Sequence, residues 1–205
     1  MTELELFMED YNKPESLQKR LKDTGWGDLH NTVYSEYFDT SSRYPVLKKF
    51  GFVIVNQELV DKIVKYSPIL EVGVGLGYLA YECKKSGADY IATDLNPKSG
   101  NTYFPEDISR WTEVEGLSSR KALEKYLDRT LLMSWPCYGS DWAIKTLKRY
   151  TGTYFIYIGE GYSGCCGNDK FFRELDRNWT EIEDLGLKQF WGIHDRAIVY
   201  KRNIV

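Results

Sequence analysis

Residues 69–97 read "ILEVGVGLGYLAYECKKSGADYIATDLNP". Gly73, Gly75 and Gly77 fall within five positions, between an apolar run carrying Glu71 and a stretch of helical spacing, "GYLAYECKKSG". A second apolar run, "YIATD", ends on Asp94, 17 positions beyond Gly77. Strand, glycine turn, helix and strand make the βαβ unit of a parallel sheet. Glycines at such a turn permit positive φ and let a ligand approach bare main chain.

The spacing separates this turn from the dinucleotide fingerprint GxGxxG, whose third glycine lies inside the helix start, where a pyrophosphate meets N–H groups and the positive end of the dipole. Here Tyr78 takes that place, the pattern is GxGxG, and Glu71 stands two residues ahead of the first glycine. A carboxylate at the strand end suits a cationic ligand better than a pyrophosphate. Asp94 offers two acceptor oxygens, the number a vicinal diol needs. The same residues also admit plainer readings, a tight turn without a ligand and a turn acid in "DLNP".

The alternation continues outward. "QELVDKIVKY" predicts a helix before the turn; after it come the short strand "WTEVEG", the Ser-capped helix "SSRKALEKYLD" and the buried strand "TLLMSW". The helix "DWAIKTLKRY", the strand "TYFIYIGE", a glycine-rich loop and the helix "DKFFRELDRNW" follow. The tail "LKQFWGIHDRAIVYKR" holds two strand-like runs joined too closely for a helix, which predicts an antiparallel hairpin. Parallel strands finished by a hairpin give an expected α/β, Rossmann-like fold: a seven-stranded, mostly parallel sheet with helices on both faces.

These features resemble the class I S-adenosylmethionine-dependent methyltransferases, whose first motif is (D/E)xGxGxG and whose strand order ends in such a hairpin. The resemblance covers residues 50–202. It implies that Glu71, Gly73, Gly75 and Gly77 hold the methionyl part of S-adenosyl-L-methionine, and that Asp94 binds the ribose hydroxyls. Leu95 would touch the adenine, with Glu115 and Gly116 flanking it. The stretch "MSWPCY" resembles the (D/N/S)PP(Y/F) motif of amino-directed methyltransferases at Pro136 and Tyr138. Trp135 stands at its polar position and Cys137 replaces its second proline; Ser134 supplies the polar group if the register slips by one. Ser134 and Trp135 are accordingly counted among the cofactor contacts, and Tyr138 would stack on the target. "LLMSWPCY", "YIGEG" and "FWGIHDRAIVYKR" together resemble a methyltransferase-like group of eukaryotes and large viruses.

The rest of the chain sets bounds. With 205 residues, one domain is expected, residues 1–49 forming a helical arm or lid on the cofactor domain of residues 50–205. "PESLQKRLKD" is the best short helix of that arm and "TGWGD" its stop, while residues 31–50 read as a covering segment. No apolar run reaches membrane-spanning length, and the acidic start "MTELELFMEDYN" is unlike a secretory signal, so the expectation is cytoplasmic with no membrane partner.

A net charge of −3 without Lys/Arg clusters puts long nucleic acid behind a small molecule or a protein side chain as acceptor. Cys83, Cys137, Cys165 and Cys166 lack metal-type spacing, which predicts reduced thiols and no metal. Glu160, ending the fifth strand, is a candidate general base, with a surface loop acid as the alternative. His194 and Asp195 read either as a turn or as an acid–base pair; His30 reads as a loop residue. Aromatics make up 15% of the chain, and some could line a pocket for a planar acceptor.

The function expected from these residues is methyl transfer from S-adenosylmethionine, with S-adenosylhomocysteine as product. A non-catalytic S-adenosylmethionine-binding protein is the alternative. An NAD-dependent dehydrogenase fits the glycine spacing less well.

Overall fold

The computed structural model describes residues 1–11, 46–97, 109–190 and 192–203. Its centre is strand β1, Ile69–Val72, whose four residues are all buried. β1 pairs in parallel with β2, Tyr90–Asp94, on one side and with β4, Thr130–Ser134, on the other. The short β3, Glu115–Gly116, extends the β2 side, and β5, Tyr154–Gly159, extends the β4 side. Antiparallel β7, Arg196–Arg202, and β6, Trp179–Asp184, close the sheet. The seven-strand order is β3-β2-β1-β4-β5-β7-β6.

Because side chains alternate along each strand, the sheet builds two cores. On one face Ile69, Tyr90, Leu132, Ile156 and Val199 pack with Leu59, Val60 and Ile63 of helix α2, Gln57–Ile63, and with Leu79 and Cys83 of α3, Tyr78–Lys85. On the other, Leu70, Val72, Leu131, Met133 and Phe155 meet helices α4, Ser119–Lys125, α5, Trp142–Arg149, and α6, Asp169–Asn178, through Ala122, Leu147 and Phe171. Each fully buried Leu, Ile or Phe side chain contributes about 1.5–3 kcal/mol by leaving water. Connections from β1 and β4 run to opposite faces, so the strand order reverses between them; in open α/β sheets the crevice at that point takes ligands.

Local chemistry fixes most helix starts. Asn56 Oδ1 accepts from the Leu59 amide at 3.0 Å, Asn168 Oδ1 from the Phe171 amide at 3.1 Å, and Ser118 caps α4, as the sequence predicts. At the amino end, Thr2 and Glu5 form a reciprocal capping box on the helix Glu3–Tyr11, labelled α1. Two helices lack a side-chain cap: α3, which starts on Gly77 at φ 76°, and α5, which starts on Asp141.

Three expectations shift. The first arm of the hairpin is β6, directly after α6, and not the run from Leu187 to Trp191. Within β6 only Trp179 is buried, so the alternation that marks a strand is missing from this edge. Its exposed acids pair with Arg196 instead, at 2.8 Å to Glu181 and 2.9 Å to Asp184, and a bulge at Glu181/Glu183 breaks its regularity. The apolar residues of the connection plug the core, with Leu185 and Phe190 buried. β3 keeps only the last two residues of "WTEVEG", and the end of "QELVDKIVKY" tightens into a 3₁₀ turn, Val64–Tyr66.

The expected helix "PESLQKRLKD", its stop, His30 and most of the covering arm lie outside the described residues. A helical turn over residues 46–50 is described, and packs Val46 and Phe50 into the first core. No helix among the described residues is long and apolar enough to cross a membrane.

Candidate functional site

The carboxyl ends of β1 to β5 bring the three glycines, Asp94, Ser134, Trp135 and Glu160 to one edge. Gly73, Gly75 and Gly77 all have positive φ, at 75°, 59° and 76°. The amides of Gly73 and Val74 both donate to the Thr93 carbonyl, at 2.9 and 3.1 Å, so the turn hangs from the end of β2. A Cβ on Gly73 would stand 3.1 Å from Trp142 Cη2, and one on Gly77 the same distance from Thr112 Cγ2. Side chains are thus excluded twice, by conformation and by space.

Glu71 does not face this edge. Its side chain lies 1% exposed beneath α3, with Oε2 accepting from the Tyr90 hydroxyl at 2.8 Å. Burial pushes its pKa up to about 8; the Tyr90 hydrogen bond opposes the rise and the charge of Asp94 adds to it. Its backbone still serves the turn, since the Thr93 hydroxyl donates to the Glu71 carbonyl at 2.9 Å.

Asp94 sits half-buried at the end of β2. Its Oδ2 accepts from the Gly75 amide at 3.1 Å, which joins the acid to the glycine turn. Leu95 beside it is exposed, and Gly116 faces solvent with Pro97 across from it. Glu115 turns toward α4, where it accepts from Lys125 and Tyr126; these hydrogen bonds lower its pKa.

At the end of β4, Ser134 is half-buried and pairs in register with Ile158. Trp135 follows with φ 48°, a left-handed conformation unusual for a bulky residue. Three contacts hold it there. Its amide donates to the Ile158 carbonyl at 2.8 Å, its indole Nε1 donates to Asp195 Oδ2 at 3.2 Å, and its ring stacks on Phe52 at 4.9 Å between centroids. Tyr138 projects from the same loop, about half exposed.

Glu160 directly follows β5 and is buried. Its Oε2 accepts from the Cys165 amide at 2.7 Å and its Oε1 from the His194 amide at 3.2 Å. Burial alone would raise its pKa, but the two amides outweigh it and hold the carboxyl below the usual range. Through Glu160 the glycine-rich loop and the turn before β7 are tied together. Of the expected His194–Asp195 pair, the histidine is exposed and engaged through its backbone, while the aspartate is buried beneath Trp135. No group of three or more His, Cys, Asp or Glu among the described residues is arranged to hold a metal.

Phe52, Tyr90, Thr93, Trp142 and Asp195's role under Trp135 were not legible as site features. Each reaches the edge by packing or by a contact that crosses elements, and no local pattern marks it. A cavity of about 460 Å³ lies elsewhere, at the opposite end of the sheet between Lys148, Thr153, Glu174, Asn178, Lys201 and Arg202, and shares no residue with the glycine turn.

No family model and no curated protein sequence matches the chain. Solved structures do. Magnesium protoporphyrin IX methyltransferase from Synechocystis PCC 6803, with bound SAM, superposes with a TM-score of 0.50 at 12% identity, covering 84% of this chain and 100% of its own. A TehB-like SAM-dependent methyltransferase from Corynebacterium glutamicum gives a TM-score of 0.48 at 20% identity, covering 80% of this chain and 96% of its own. TrmK from M. capricolum, in complex with SAH, gives 0.45 at 10% identity, covering 73% of this chain and 69% of its own. The first of these bears on the fold alone, a Rossmann-like, mostly parallel seven-stranded sheet that ends in an antiparallel hairpin.

Proposed function

We propose that the chain binds S-adenosylmethionine at the carboxyl edge of β1 and β2 and transfers its methyl group to a small molecule or a protein side chain. One observation carries this: three left-handed glycines at the end of β1, bonded through an amide to an acid at the end of β2, on a sheet of methyltransferase order. At Gly73 and Gly77 the space a Cβ would need is taken by Trp142 and Thr112, so the chain's own side chains hold the turn in this tight form.

In this reading the Gly73–Gly77 backbone meets the methionyl part and Asp94 takes the ribose hydroxyls, with Leu95 and Gly116 beside the base. Glu115 bears on the base side only through its backbone, its carboxylate being engaged by α4. Glu71 acts from below, holding the turn through its carbonyl and Tyr90. Ser134 and Trp135 border the reacting end, and Tyr138 stands at the acceptor mouth.

The bound sulfonium supplies an electrophilic methyl group, which a lone pair of the acceptor takes while the C–S electron pair stays on sulfur. The protein's part is mainly alignment, which lowers the barrier by fixing reactants in line. Protonation of Glu160 would weaken the two amide hydrogen bonds its carboxylate accepts, so we assign it the positioning of the β5 loop. That engagement, and a tryptophan at the polar position of "MSWPCY", favour the second reading, a binding protein without transfer.

Calorimetric titration with S-adenosylmethionine and S-adenosylhomocysteine tests the proposal. Asp94→Ala should weaken binding by ~10-fold or more, the loss expected when a hydrogen-bonded partner is removed. No binding to the wild type would end the proposal. Binding without methyl transfer from labelled cofactor to extracted metabolites, protein or nucleic acid would leave the second reading.

A further inference from the structure

Beyond the methyl-transfer edge, the structure brings two cysteines face to face. Cys137, in the loop after β4, and Cys166, in the loop after β5, oppose each other in an isolated antiparallel bridge. The Gly167 amide donates to the Pro136 carbonyl at 2.7 Å, which makes the two cysteines a non-hydrogen-bonded pair of that ladder. At such a pair the Cα atoms lie about 4.5 Å apart and the side chains share a face. A disulfide needs Cα separations of about 4.4–6.8 Å. Both residues are thiols in this structure.

Their surroundings divide the labour. Cys137 is half-buried and reachable from solvent, whereas Cys166 is 1% exposed, with its sulfur packed beside Gly159. Cys165, the neighbour in sequence, is exposed and so lies on the other side of the strand.

We propose that Cys137 and Cys166 are a disulfide-forming pair, closed by exchange with a low-molecular-weight disulfide such as oxidised glutathione. The Cys137 thiolate attacks one sulfur of the small disulfide, forming a mixed disulfide and releasing one small thiolate. The Cys166 thiolate then attacks Cys137 Sγ, the protein disulfide forms, and the second small thiolate leaves. Two protein thiols are oxidised, one small disulfide is reduced, and the protons lost by the cysteines go to the released thiolates. Burial, with a backbone hydrogen bond at Glu160 opposing it and the nearby carboxylate of Asp195 adding to it, pushes the Cys166 thiol up to about 12, which makes the second step the slow one. The bond staples the loop carrying Trp135 and Tyr138 to the loop that Glu160 anchors, on the acceptor side of the crevice.

The test is incubation of the reduced full chain with oxidised glutathione at pH 8, alkylation of remaining thiols and peptide mapping by mass spectrometry. One intramolecular Cys137–Cys166 link is expected, with Cys83 and Cys165 alkylated. Cys165→Ser should retain the link; Cys137→Ser and Cys137→Ala should both lose it while keeping the wild-type circular dichroism. In urea the preference for this pair should disappear. A link through Cys165, a link only between two chains, or a glutathione adduct that never closes would overturn the proposal.

Discussion

Replacing Glu71 by Gln should make the apo protein more stable at neutral pH and remove a pH dependence from its folding. In the folded chain the Glu71 carboxyl keeps its proton to about pH 8, because burial disfavours the anion and Asp94 adds repulsion, against the pull of the Tyr90 hydroxyl. In the unfolded chain the same group ionises near its ordinary value of 4.5. Between these values the folded state binds the extra proton, so stability is highest below the lower value and falls as pH rises through the window. One proton changes stability by about 1.4 kcal/mol per pH unit. The loss therefore reaches on the order of 3 kcal/mol at pH 7 and about 5 kcal/mol above pH 8.

Glutamine has nearly the same shape, still accepts from Tyr90 through its carbonyl oxygen, and never ionises. Other shifted groups, Glu160 among them, contribute equally to both proteins and cancel in the difference. Urea unfolding of apo wild type and Glu71→Gln at pH 5, 6, 7 and 8, followed through the six tryptophans, measures that difference directly. A small gap at pH 5 should widen to ~3 kcal/mol at pH 7. Parallel stability profiles from pH 5 to 8 would refute the reasoning. So would a Gln variant less stable than wild type at pH 8, since the folded carboxylate would then be ionised and well paired.

Gly73→Ala should lower S-adenosylhomocysteine affinity at least ~10-fold in calorimetry, because a left-handed alanine costs about 1–2 kcal/mol before its methyl, 3.1 Å from Trp142, displaces the indole. Tyr78→Phe removes the hydroxyl that accepts from the Leu4 amide at 2.7 Å and donates to Glu82 at 2.9 Å. A loss of about 2–3 kcal/mol, or roughly 4–10 °C in thermal unfolding, is expected, with hydrogen exchange rising first in α1. Glu160→Gln should cost about 1.5–3 kcal/mol at pH 7, since an amide NH₂ cannot accept from both backbone donors. The folded Glu160 pKa is lowered, so its contribution is present above the unfolded value and fades as pH falls through the folded one. Acid titration by circular dichroism should show the gap to Glu160→Gln closing as pH falls below the ordinary carboxylate value of 4.5.

The glycine-turn half of the edge, where we propose the cofactor binds, was legible because it is local. Gly73, Gly75, Gly77 and Asp94 lie within one βαβ unit, and the bond from the Gly75 amide to Asp94 spans only 19 positions. Glycine spacing and an acid at a strand end survive in sequence as a pattern. The surroundings of Trp135 do not, since that residue is set by Phe52 and by Asp195, the latter 60 positions away in sequence. Glu71 shows a different limit. Its place in the motif was clear, but whether its side chain faces the ligand or the core depends on which face α3 covers, and Tyr90 reveals that only once strands are paired. β6 escaped because an exposed edge strand needs no apolar alternation, and its acids look like loop.

Polar groups buried beneath the edge connect its parts before any ligand arrives. Thr93 links β2 to both the Glu71 carbonyl and the turn amides; Asp94 links β2 to Gly75; Asp195 links the turn before β7 to Trp135; Glu160 links that turn to the β5 loop. Tyr78 and Glu82 extend the network to the amino terminus, where both the Glu3 and Leu4 amides are received. A hydrogen bond inside a low-dielectric core contributes modestly when made but is costly to leave open, so such links resist sliding in a way apolar packing does not. A preorganised crevice avoids the ordering cost that a flexible one would incur on binding. The left-handed Trp135 is strained and can persist because its amide, its indole N–H and its ring are each held by a neighbour, whereas the three glycines adopt positive φ freely. The edge is therefore held at the glycine turn through its main chain, and at Trp135 through a few side chains that substitution can exchange.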